Sequence, residues 1–374
     1  MRRWLAVFLV LAVLALGIVG CGESQRIQKN DFDQNTTNQA EPAISNEPTD
    51  DPGSLQVHFI DVGQGDAILV VAPGGQAMLV DGGDGEYGQT VVDYLNSQGI
   101  KRLAVLVATH PHADHTGGLP AVLDRFPVDR VYMPRVTNNT DQFAGFLTAI
   151  KRQGLKINTA RAGIKIPFPG AEAVFLAPNS QGYENLNDYG AVIKISYIKT
   201  SFLLTGDASE VSEGEMLASG MALKCNVLKV GHHGSSSATI PEFVQAVSPQ
   251  YAVIMCGAGN DYGHPHRETL EAISQVGAKV YRTDLAGNIV MESDGDEIEV
   301  TTFKYEPEKA RIVTEVPGHV VAGGPAHFYI GNRNSHKFHR PDCTSLPKEA
   351  NRIIFNSREM AIKVGYEPCG RCLP

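Results

Sequence analysis

The 374-residue chain has no internal repeat and, after its first 20 residues, no second long apolar run. The first absence excludes solenoid and propeller architectures, and the second excludes a protein that crosses a membrane many times. Cysteine is scarce: the chain has six, in unlike settings. They therefore do not make the disulfide framework of a small secreted scaffold. The net charge is −9, so any binding of phosphate must depend on local positive charge.

The N-terminus has the pattern of an export signal. Met1-Arg2-Arg3 precedes an uncharged apolar stretch from Trp4 to Gly20, which is too short for a comfortable membrane span. Ile18-Val19-Gly20-Cys21 resembles a bacterial lipobox, and an ordinary secretory peptide or an uncleaved anchor is the alternative. We expect residues 1–20 to be a lipoprotein signal and Cys21 to carry lipid that tethers the protein to the bacterial membrane, outside the cytoplasm.

Composition divides the rest of the chain. Residues 21–53 are rich in Asn, Gln, Asp, Glu, Thr, Pro and Ser, which predicts a disordered tether. Residues 54–303 are expected to form a catalytic domain, residues 304–326 a linker and residues 327–374 a small second module. Cys225 and Cys256 lie in apolar runs, which favours two buried thiols over a disulfide between them.

Residues 54–303 alternate between two patterns. Short β-branched runs predict strands, and periods of 3.6 residues predict helices between them. The predicted strands are 55–60, 66–71, 76–80, 103–109, 130–133, 173–176, 191–198, 201–204, 225–230, 251–255 and 279–282. The predicted helices are 89–98, 118–125, 139–153, 209–218, 241–247 and 266–276. This α/β pattern predicts two sheets packed face to face with helices outside.

The densest chemical motif is His110-Pro111-His112-Ala113-Asp114-His115, directly after an apolar run. His110 and His112 lie two residues apart, so they can point to one side of an extended segment. Asp114 and His115 can then reach a second position. Three imidazoles and a carboxylate in six residues predict a centre for two metal ions, with a nitrogen-rich half and a half that contains a carboxylate.

This H-x-H-x-D-H motif resembles the metallo-β-lactamase superfamily. Five further motifs, in order, are similar to the C-terminal domain of the ComEC competence proteins. They are HFIDVGQGDA at 58–67, LVDGG at 79–83, LTGD at 204–207, LKVGHHGS at 228–235 and YGHPH at 262–266. The resemblance runs from about Leu55 to Thr302. It implies an αββα sandwich and hydrolysis by water that two divalent ions activate.

The resemblance also implies ligand roles. His110 and His112 are expected to hold one ion, and Asp114 and His115 the other, with Asp114 also positioning the attacking water. Asp207, at the end of a strand, matches the bridging carboxylate of the superfamily. The ions themselves are expected to be zinc or manganese.

Two positions in this ligand set leave alternatives open. On an extended backbone only one of two adjacent residues faces a given point, so we expect His232 to ligate the second ion and His233 to contact substrate or support a ligand. No histidine lies between His115 and His232, where many members of the superfamily have one. Asp188, or less favourably Asn187, is expected to fill that place, and an oxygen ligand there suits manganese as well as zinc and argues against a β-lactamase.

Other polar residues of the motifs are expected to support the centre. Asp81, Asp61 and Asp66 could hydrogen-bond to the metal-binding loop, or could simply form turns, because each stands close to glycine. His264 and His266 could protonate the leaving oxygen or bind a phosphate, and the alternative is an ordinary loop at the start of a helix.

The C-terminal segment contains a second metal pattern. His339-x3-Cys343 is followed by Cys369-x2-Cys372, which is the spacing of a four-ligand zinc site. Residues 328–374 resemble the metal-binding domain of the Ada DNA-repair protein, with His339 at the place of its first cysteine. Because the ligand set differs, methyl transfer is not expected. We expect a zinc-stabilised α+β module that needs its ion to fold; a stray disulfide is the alternative.

The two resemblances together favour a particular substrate. Residues 333–371 carry eight basic and four acidic side chains, which indicates nucleic-acid contact or simply a solvated surface. We expect a membrane-tethered phosphodiesterase or nuclease that acts on DNA, with a DNA-uptake machinery as its partner. The alternatives are hydrolysis of cell-wall phosphoesters, such as phosphocholine on teichoic acid, and capture of DNA by a surface binding protein.

Overall fold

The structure is a computed structural model that describes residues 53–303, 329–340, 343–348, 351–355, 358–363 and 365–372. The predicted signal 1–20, Cys21, the linker 304–326 and the tether apart from Gly53 lie outside these residues. Among the residues described, no helix is both long and apolar enough to cross a membrane.

We call residues 53–303 the body. Its first half contributes most of one sheet and the helices that cover it. Along the chain these elements are β1 (Leu55–Phe59), β2 (Ile68–Val71), β3 (Ala77–Val80), α1 (Gly88–Ser97), β4 (Leu103–Val107), α2 (Ala113–Thr116), α3 (Leu119–Arg125), β5 (Val128–Met133), α4 (Asp141–Arg152) and β6 (Ile157–Thr159). Strands β3 to β6 run parallel to one another.

The second half forms the other sheet in the same manner. Its elements are β7 (Lys165–Ile166), β8 (Glu172–Ala177), β9 (Val192–Tyr197), β10 (Thr200–Leu204), α5 (Glu210–Ala218), β11 (Val227–Lys229), α6 (Pro241–Val247), β12 (Tyr251–Ile254), α7 (Arg267–Gln275) and β13 (Lys279–Arg282). Strands β10 to β13 are parallel. Single 3-10 turns lie at Gly85–Tyr87, Leu186–Tyr189 and Gly231–Gly234.

The last part of the body returns to the first sheet through α8 (Thr283–Ala286), β14 (Ile289–Ser293) and β15 (Ile298–Thr302). The strand orders are β15-β14-β1-β2-β3-β4-β5-β6 and β13-β12-β11-β10-β9-β8-β7. The sequence pattern predicts none of β6, β7, β14 and β15. The first two are short edge strands and the residues of β15 are mostly exposed, so these three produce no sustained apolar run, whereas β14 begins with a buried apolar run of only three residues.

The two sheets pack over one shared core. Phe59 and Met78 from the first sheet meet Phe175 and Phe202 from the second, and all four are fully buried. Helices α1, α3 and α4 cover the outer face of the first sheet, while α5, α6 and α7 cover that of the second. The predicted αββα sandwich is therefore confirmed.

The C-terminal residues form a separate small sheet with one helix. Its elements are β16 (Tyr329–Asn332), β17 (Lys337–His339), β18 (Arg352–Phe355), α9 (Arg358–Lys363) and β19 (Glu367–Pro368), with the strand order β18-β16-β17-β19. We call this part the tail module. Its buried core contains Phe338, Ile353, Phe355 and Ala361.

The parallel strands determine where a site can form. Carboxyl ends of parallel strands lie at one edge of a sheet, so the loops that follow β3, β4, β10, β11 and β12 gather at one edge of the sandwich. Four of the six motifs found in the sequence begin at these strand ends.

Candidate metal centre

One group of side chains at this edge surrounds a common point. Asp114, His115, Asp207 and His233 offer ligand atoms that all lie within 4.8 Å of one another. His115 Nε2 and His233 Nε2 are 3.2 Å and 3.3 Å from Asp207 Oδ1, and His233 Nε2 is also 3.2 Å from Asp114 Oδ2. His115 Nε2 and Asp207 Oδ1 are buried and accept or donate no hydrogen bond within the described part of the chain. Two imidazoles and two carboxylates with such atoms fit a divalent ion.

A second group lies on the other side of Asp207. His110 Nε2 is 3.9 Å and His232 Nε2 is 3.7 Å from Asp207 Oδ2. His112 joins this group, because its Nδ1 is 2.9 Å from His110 Nε2. Asp207 therefore presents one carboxylate oxygen to each group, which is the arrangement of a carboxylate that bridges two ions.

The structure reverses the expected assignment of the adjacent histidines. His233, rather than His232, lies with Asp114 and His115, while His232 lies with His110 in the second group. The expectation rested on an extended backbone, but both residues adopt left-handed conformations, with φ of 47° and 55°. This unusual turn lets two neighbouring rings reach opposite oxygens of Asp207.

The place of the missing histidine is also filled differently from the leading expectation. The Asp188 carboxylate accepts a hydrogen bond from the Ser209 hydroxyl and does not reach either group. Asn187 instead turns its amide toward the second group, with Nδ2 3.3 Å from His232 Nε2. Its Oδ1 is buried without a hydrogen bond from any described residue. In the 3-10 turn Leu186–Tyr189, successive side chains point in different directions, which separates the two.

Hydrogen bonds fix the orientation of His115 and His233 in the first group. Asp81 Oδ2 lies 2.8 Å from His115 Nδ1, and Asp81 accepts hydrogen bonds from both the N–H and the hydroxyl of Thr109. The contact expected for Asp81 is thus present. His233 Nδ1 lies 2.9 Å from the Met255 carbonyl oxygen. In each ring the Nδ1 proton is committed, so Nε2 is directed into the centre.

Sequence reasoning missed Lys229, which is fully buried in β11. Its ammonium lies 2.5 Å from Asp66 Oδ2 and donates to the carbonyl oxygen of Gly206, the residue before Asp207. Asp66 Oδ1 is 3.4 Å from His233 Nδ1, so Asp66 does lie beside the metal-binding loops. A lysine inside an otherwise apolar strand was the signal in the sequence, since a buried ammonium requires a partner.

Asp61 takes the alternative that the sequence left open. Its carboxylate accepts the N–H of Gly63 at 3.2 Å, which is the hydrogen bond of a local turn. The following Gly65 has φ of +149°, and a Cβ there would overlap the Asp114 carbonyl. The Asp66 N–H donates to the same carbonyl at 3.1 Å, so the turn brings the backbone against the metal-binding loop.

His266 is committed to a structural contact. Its Nδ1 accepts the N–H of Ser236 at 3.0 Å, and its Nε2 lies 3.0 Å from the carbonyl oxygen of Tyr262. These bonds use both ring nitrogens to join the loops after β11 and β12. The expected role as a proton donor to substrate is therefore not supported for His266.

His264 lies at the rim of the centre. Its ring centroid is 5.9 Å from that of His232, and its Nδ1 is 3.3 Å from Gln64 Nε2. Burial, and then the positive charge of His233, lower the pKa of His264 to about 4. At neutral pH the ring is uncharged, so it can donate or accept one hydrogen bond but is a poor source of protons.

Electrostatics at the centre favour positive charge. Burial alone would raise the pKa of Asp207, but His115 and His233 hold it well below its ordinary value. Burial would lower the pKa of His115, yet Asp207 and Asp114 raise it well above the usual range. A divalent cation can supply the same positive charge in place of the ring protons, as expected where metal binding releases protons.

Glu213 supports the loop that follows the histidine pair and was also missed. It is fully buried in α5 and accepts the N–H groups of Thr239 and Ile240 at 2.7 Å and 2.9 Å. Burial raises the pKa of this carboxyl to about 8. Glu213 lies in a helix with several polar residues, and nothing in that pattern indicates that its carboxylate is buried and supports a loop.

The tail module brings together its four expected ligands. His339, Cys343, Cys369 and Cys372 offer ligand atoms within 4.8 Å of one another. The sulfurs of Cys372 and Cys369 accept the N–H groups of Arg340 and Arg371 at 3.3 Å and 3.4 Å. Burial would raise the pKa of Cys369, but hydrogen bonds of this kind outweigh it and lower that pKa to about 7, whereas burial raises the pKa of Cys372 to about 11. The cysteines of the described residues are all free, so neither the stray disulfide nor a Cys225–Cys256 bond is present.

Comparison with known proteins adds the family context. Residues 60–258 match the family model described as "Metallo-beta-lactamase superfamily", and residues 324–374 match the one described as "Metal binding domain of Ada". The chain is 30% identical over 278 residues to ComE operon protein 3 of Bacillus subtilis, which covers 70% of this chain and 35% of that protein. It is 29% identical over 265 residues to Recombination protein 2 of Haemophilus influenzae, with 69% and 32% covered.

A third relative is Competence protein ComA of Neisseria gonorrhoeae, with 31% identity over 231 residues that cover 61% of this chain and 30% of that protein. The chain thus spans about a third of the length of these curated relatives.

Proposed function

Because the chain belongs to the metallo-β-lactamase superfamily and ends in a metal-binding domain like that of Ada, we propose that it is a metal-dependent phosphodiesterase that cleaves DNA outside the cytoplasm. The observation that carries the hydrolytic part is Asp207, whose two oxygens face two groups of imidazole and carboxylate ligands. The choice of DNA is supported by the similarity to competence and recombination proteins.

Two ligand sets would hold the ions. His110, His112, His232 and Asp207 would hold one, with Asn187 as an additional oxygen donor, and Asp114, His115, His233 and Asp207 would hold the other. Imidazole and carboxylate donors suit zinc and manganese. When bound, two such ions supply an activated water and positive charge for the phosphate.

Asp114 is the residue best placed to contact the attacking water. Its side chain is 32% exposed, whereas those of His115 and His233 are nearly inaccessible. Burial would raise the pKa of Asp114, but His115 and a hydrogen bond with His233 lower it far below its ordinary value. The carboxylate stays ionised at neutral pH, so it can accept a hydrogen bond from the attacking water and orient it.

His264 would bind the substrate instead of protonating it. If Gln64 donates a hydrogen bond to His264 Nδ1, the proton of the neutral ring lies on Nε2. The Nε2–H group can then donate a hydrogen bond to a phosphate oxygen. The remaining hydrogen bonds, which Asp81 and the Met255 carbonyl accept and Lys229 donates, hold the ligands and their loops so that the geometry is set before substrate arrives.

The cellular setting is part of the proposal. Lipid on Cys21 and the polar segment 22–53 would hold the body near a bacterial membrane while allowing it to reach substrate. The tail module, stabilised by zinc on His339 and its three cysteines, would add local positive charge for DNA. A DNA-uptake machinery is the corresponding partner.

Cleavage assays test this function. The full chain, purified in detergent, is loaded separately with zinc and with manganese and given linear duplex DNA, single-stranded DNA and a small phosphodiester. Asp207→Asn removes the bridging charge, and Asp296→Asn, at an exposed ion pair with Lys199, is the matched control. We expect metal-dependent DNA cleavage that only Asp207→Asn abolishes. Hydrolysis of the small diester without DNA cleavage would refute the DNA substrate and direct attention to wall phosphoesters.

A further inference from the structure

The rim of the metal centre carries a ladder of aromatic rings that hydrolysis does not require. Tyr262 is 66% exposed, and its ring lies nearly parallel to that of His264, with 5.5 Å between centroids and 20° between planes. His264 in turn stacks on His233, at 6.4 Å and 27°. The rings therefore lead from a residue of the ligand group to solvent.

A single exposed tyrosine is unremarkable on a protein surface, but the backbone around this one is fixed. The Tyr262 carbonyl lies 3.0 Å from His266 Nε2. Asn260 accepts the N–H of His264 at 2.9 Å and donates to the carbonyl oxygens of His264 and Gly257. Such a loop presents its exposed ring in a defined place, as a binding platform requires.

A cavity of about 430 Å³ opens beside this ladder. Gln64 separates the two, since its Nε2 is 3.3 Å from His264 Nδ1 and its Oε1 accepts the Gly257 N–H. The described lining contains Tyr87, Asn260 and the carboxylates of Asp61 and Asp284, of which Asp284 is paired with Arg282 behind it at 2.6 Å, and no lysine or arginine of the described residues faces the cavity. Such a lining disfavours a phosphate. Its size and its aromatic, amide and carboxylate groups suit a neutral ring that carries amino groups, such as a nucleobase.

We propose that this rim binds unpaired nucleobases on either side of the scissile phosphate, with one base stacked on Tyr262 and the other in the cavity. The inference rests on the proposed phosphodiesterase function and specifies single-stranded nucleic acid as its substrate class. Stacking on an aromatic side chain is available to every base, so it selects strandedness and not sequence. A base within a duplex can reach the ladder only after it leaves its stack.

Short single strands with one cleavable linkage test the inference. The strand carries methylphosphonates at all positions except one phosphodiester, and abasic residues replace the base on one side of it, on the other, or on both. The full chain, loaded with manganese, is compared with Tyr262→Ala and with Tyr262→Phe, which keeps the ring. We expect Tyr262→Ala to lower kcat/KM about tenfold on the intact strand, whereas Tyr262→Phe leaves it within about twofold.

The abasic strands show which contact is lost. The wild-type protein should lose rate with an abasic residue on either side, whereas Tyr262→Ala should be insensitive on the stacking side and keep the penalty on the cavity side. An equal loss for Tyr262→Ala on every strand would overturn the base contact. Absence of cleavage on all strands would instead count against the phosphodiesterase function, and equilibrium binding of the same strands to the three proteins would still decide the inference.

Discussion

The body and the tail module assemble their metal clusters in opposite ways. In the body the ligands come from loops after β4, β10 and β11, and these loops rest on a sandwich whose apolar core forms without them. In the tail module the four ligands lie on a small sheet whose buried core contains Phe338, Ile353, Phe355 and Ala361. We therefore predict that an ion completes the chemistry of the body, whereas it completes the fold of the tail module.

The supporting contacts show the same difference. In the body, Asp81 and the Met255 carbonyl hold His115 and His233 from elements outside the ligand loops. In the tail module, the sulfurs accept N–H groups from residues that are sequence neighbours of the ligands. Those hydrogen bonds give little support once the ion is removed, because the loops that make them are themselves held by it.

The largest expected effect is loss of the tail module on chelation. Structural zinc sites of this kind contribute on the order of 10 kcal/mol to folding, which exceeds what the small core can supply. A chelator, or Cys372→Ser, should make the remaining tail thiols reactive toward a disulfide reagent. Cys225 and Cys256, both buried in the body, are the internal control and should stay protected. Simultaneous exposure of the tail thiols and of Cys225 and Cys256 would show that the two parts unfold as one.

The next effect concerns the chemistry of the body. Asp207→Asn should reduce phosphodiester hydrolysis by on the order of 10³-fold, because it removes the charge shared by the two ligand groups. The unfolding temperature should change by only a few degrees, since the core does not depend on this side chain. Steady-state kinetics and calorimetry measure the two quantities. A large loss of stability would mean that the body, too, needs its ligands to fold.

The stability of the body should also fall in acid for a reason unrelated to either metal cluster. His58 is buried in β1 beside the Tyr94 hydroxyl, and burial lowers its pKa from 6.5 to about 4. The unfolded chain therefore binds the proton first, so the free energy of unfolding falls as the pH drops from about 6.5 toward 4. The loss attributable to His58 is about 2 kcal/mol between pH 7 and pH 5.

Urea unfolding of wild type and His58→Gln at both pH values measures this contribution. We expect the variant to be less sensitive to acid, even if it is less stable at pH 7. An unchanged pH dependence in the variant would assign the acid lability to other groups.

A weaker effect is expected at a residue that only orients a ligand. Asp81→Asn should reduce metal affinity in the body by roughly 10- to 100-fold, because the amide cannot hold His115 in the same way. Calorimetric titration follows this change, and the tail module in the same sample provides the reference affinity. A loss in both clusters would indicate general misfolding.

The smallest effect is expected where the two parts touch. Arg333 of the tail module lies 3.5 Å from Asp93 of α1, and both side chains are about a quarter exposed, at 26% and 25%. Asp93→Asn should therefore change stability by about 1 kcal/mol or less. Thermal unfolding at low and high salt checks this, and a much larger shift would mean that the module depends on the body for its fold.

Sequence patterns identified the features that depend on local chemistry. The helix predicted at 241–247 has those bounds in α6, because its start with proline and its apolar period are local signals. The histidine motif after an apolar run likewise placed ligands at the end of β4. Strands β14 and β15 were missed because they are held by pairing, β14 with β1, which lies far away in sequence, and β15 with β14.

The errors in the site have a conformational origin. The order of His232 and His233 depends on two consecutive left-handed residues, which run against the usual preference of side-chain-bearing residues. Whether Asn187 or Asp188 faces the centre depends on the phase of one 3-10 turn. Neither conformation is encoded in a pattern of apolar residues. Each is held by a tertiary hydrogen bond, from the Ser209 hydroxyl to Asp188 and from the His232 N–H to the Gly206 carbonyl oxygen.

The pairing of β1 with β14 imposes an order on the maturation of the chain. Leu55 lies opposite Ser293, so the edge of β1 that leaves the ribosome or a translocation pore first has no partner until nearly the whole body has followed. A truncated product ending soon after His264 would contain every body ligand and still leave this edge open, where it could pair with another chain. Completion of translation, more than acquisition of the ligand set, is then the step that protects the nascent protein from aggregation.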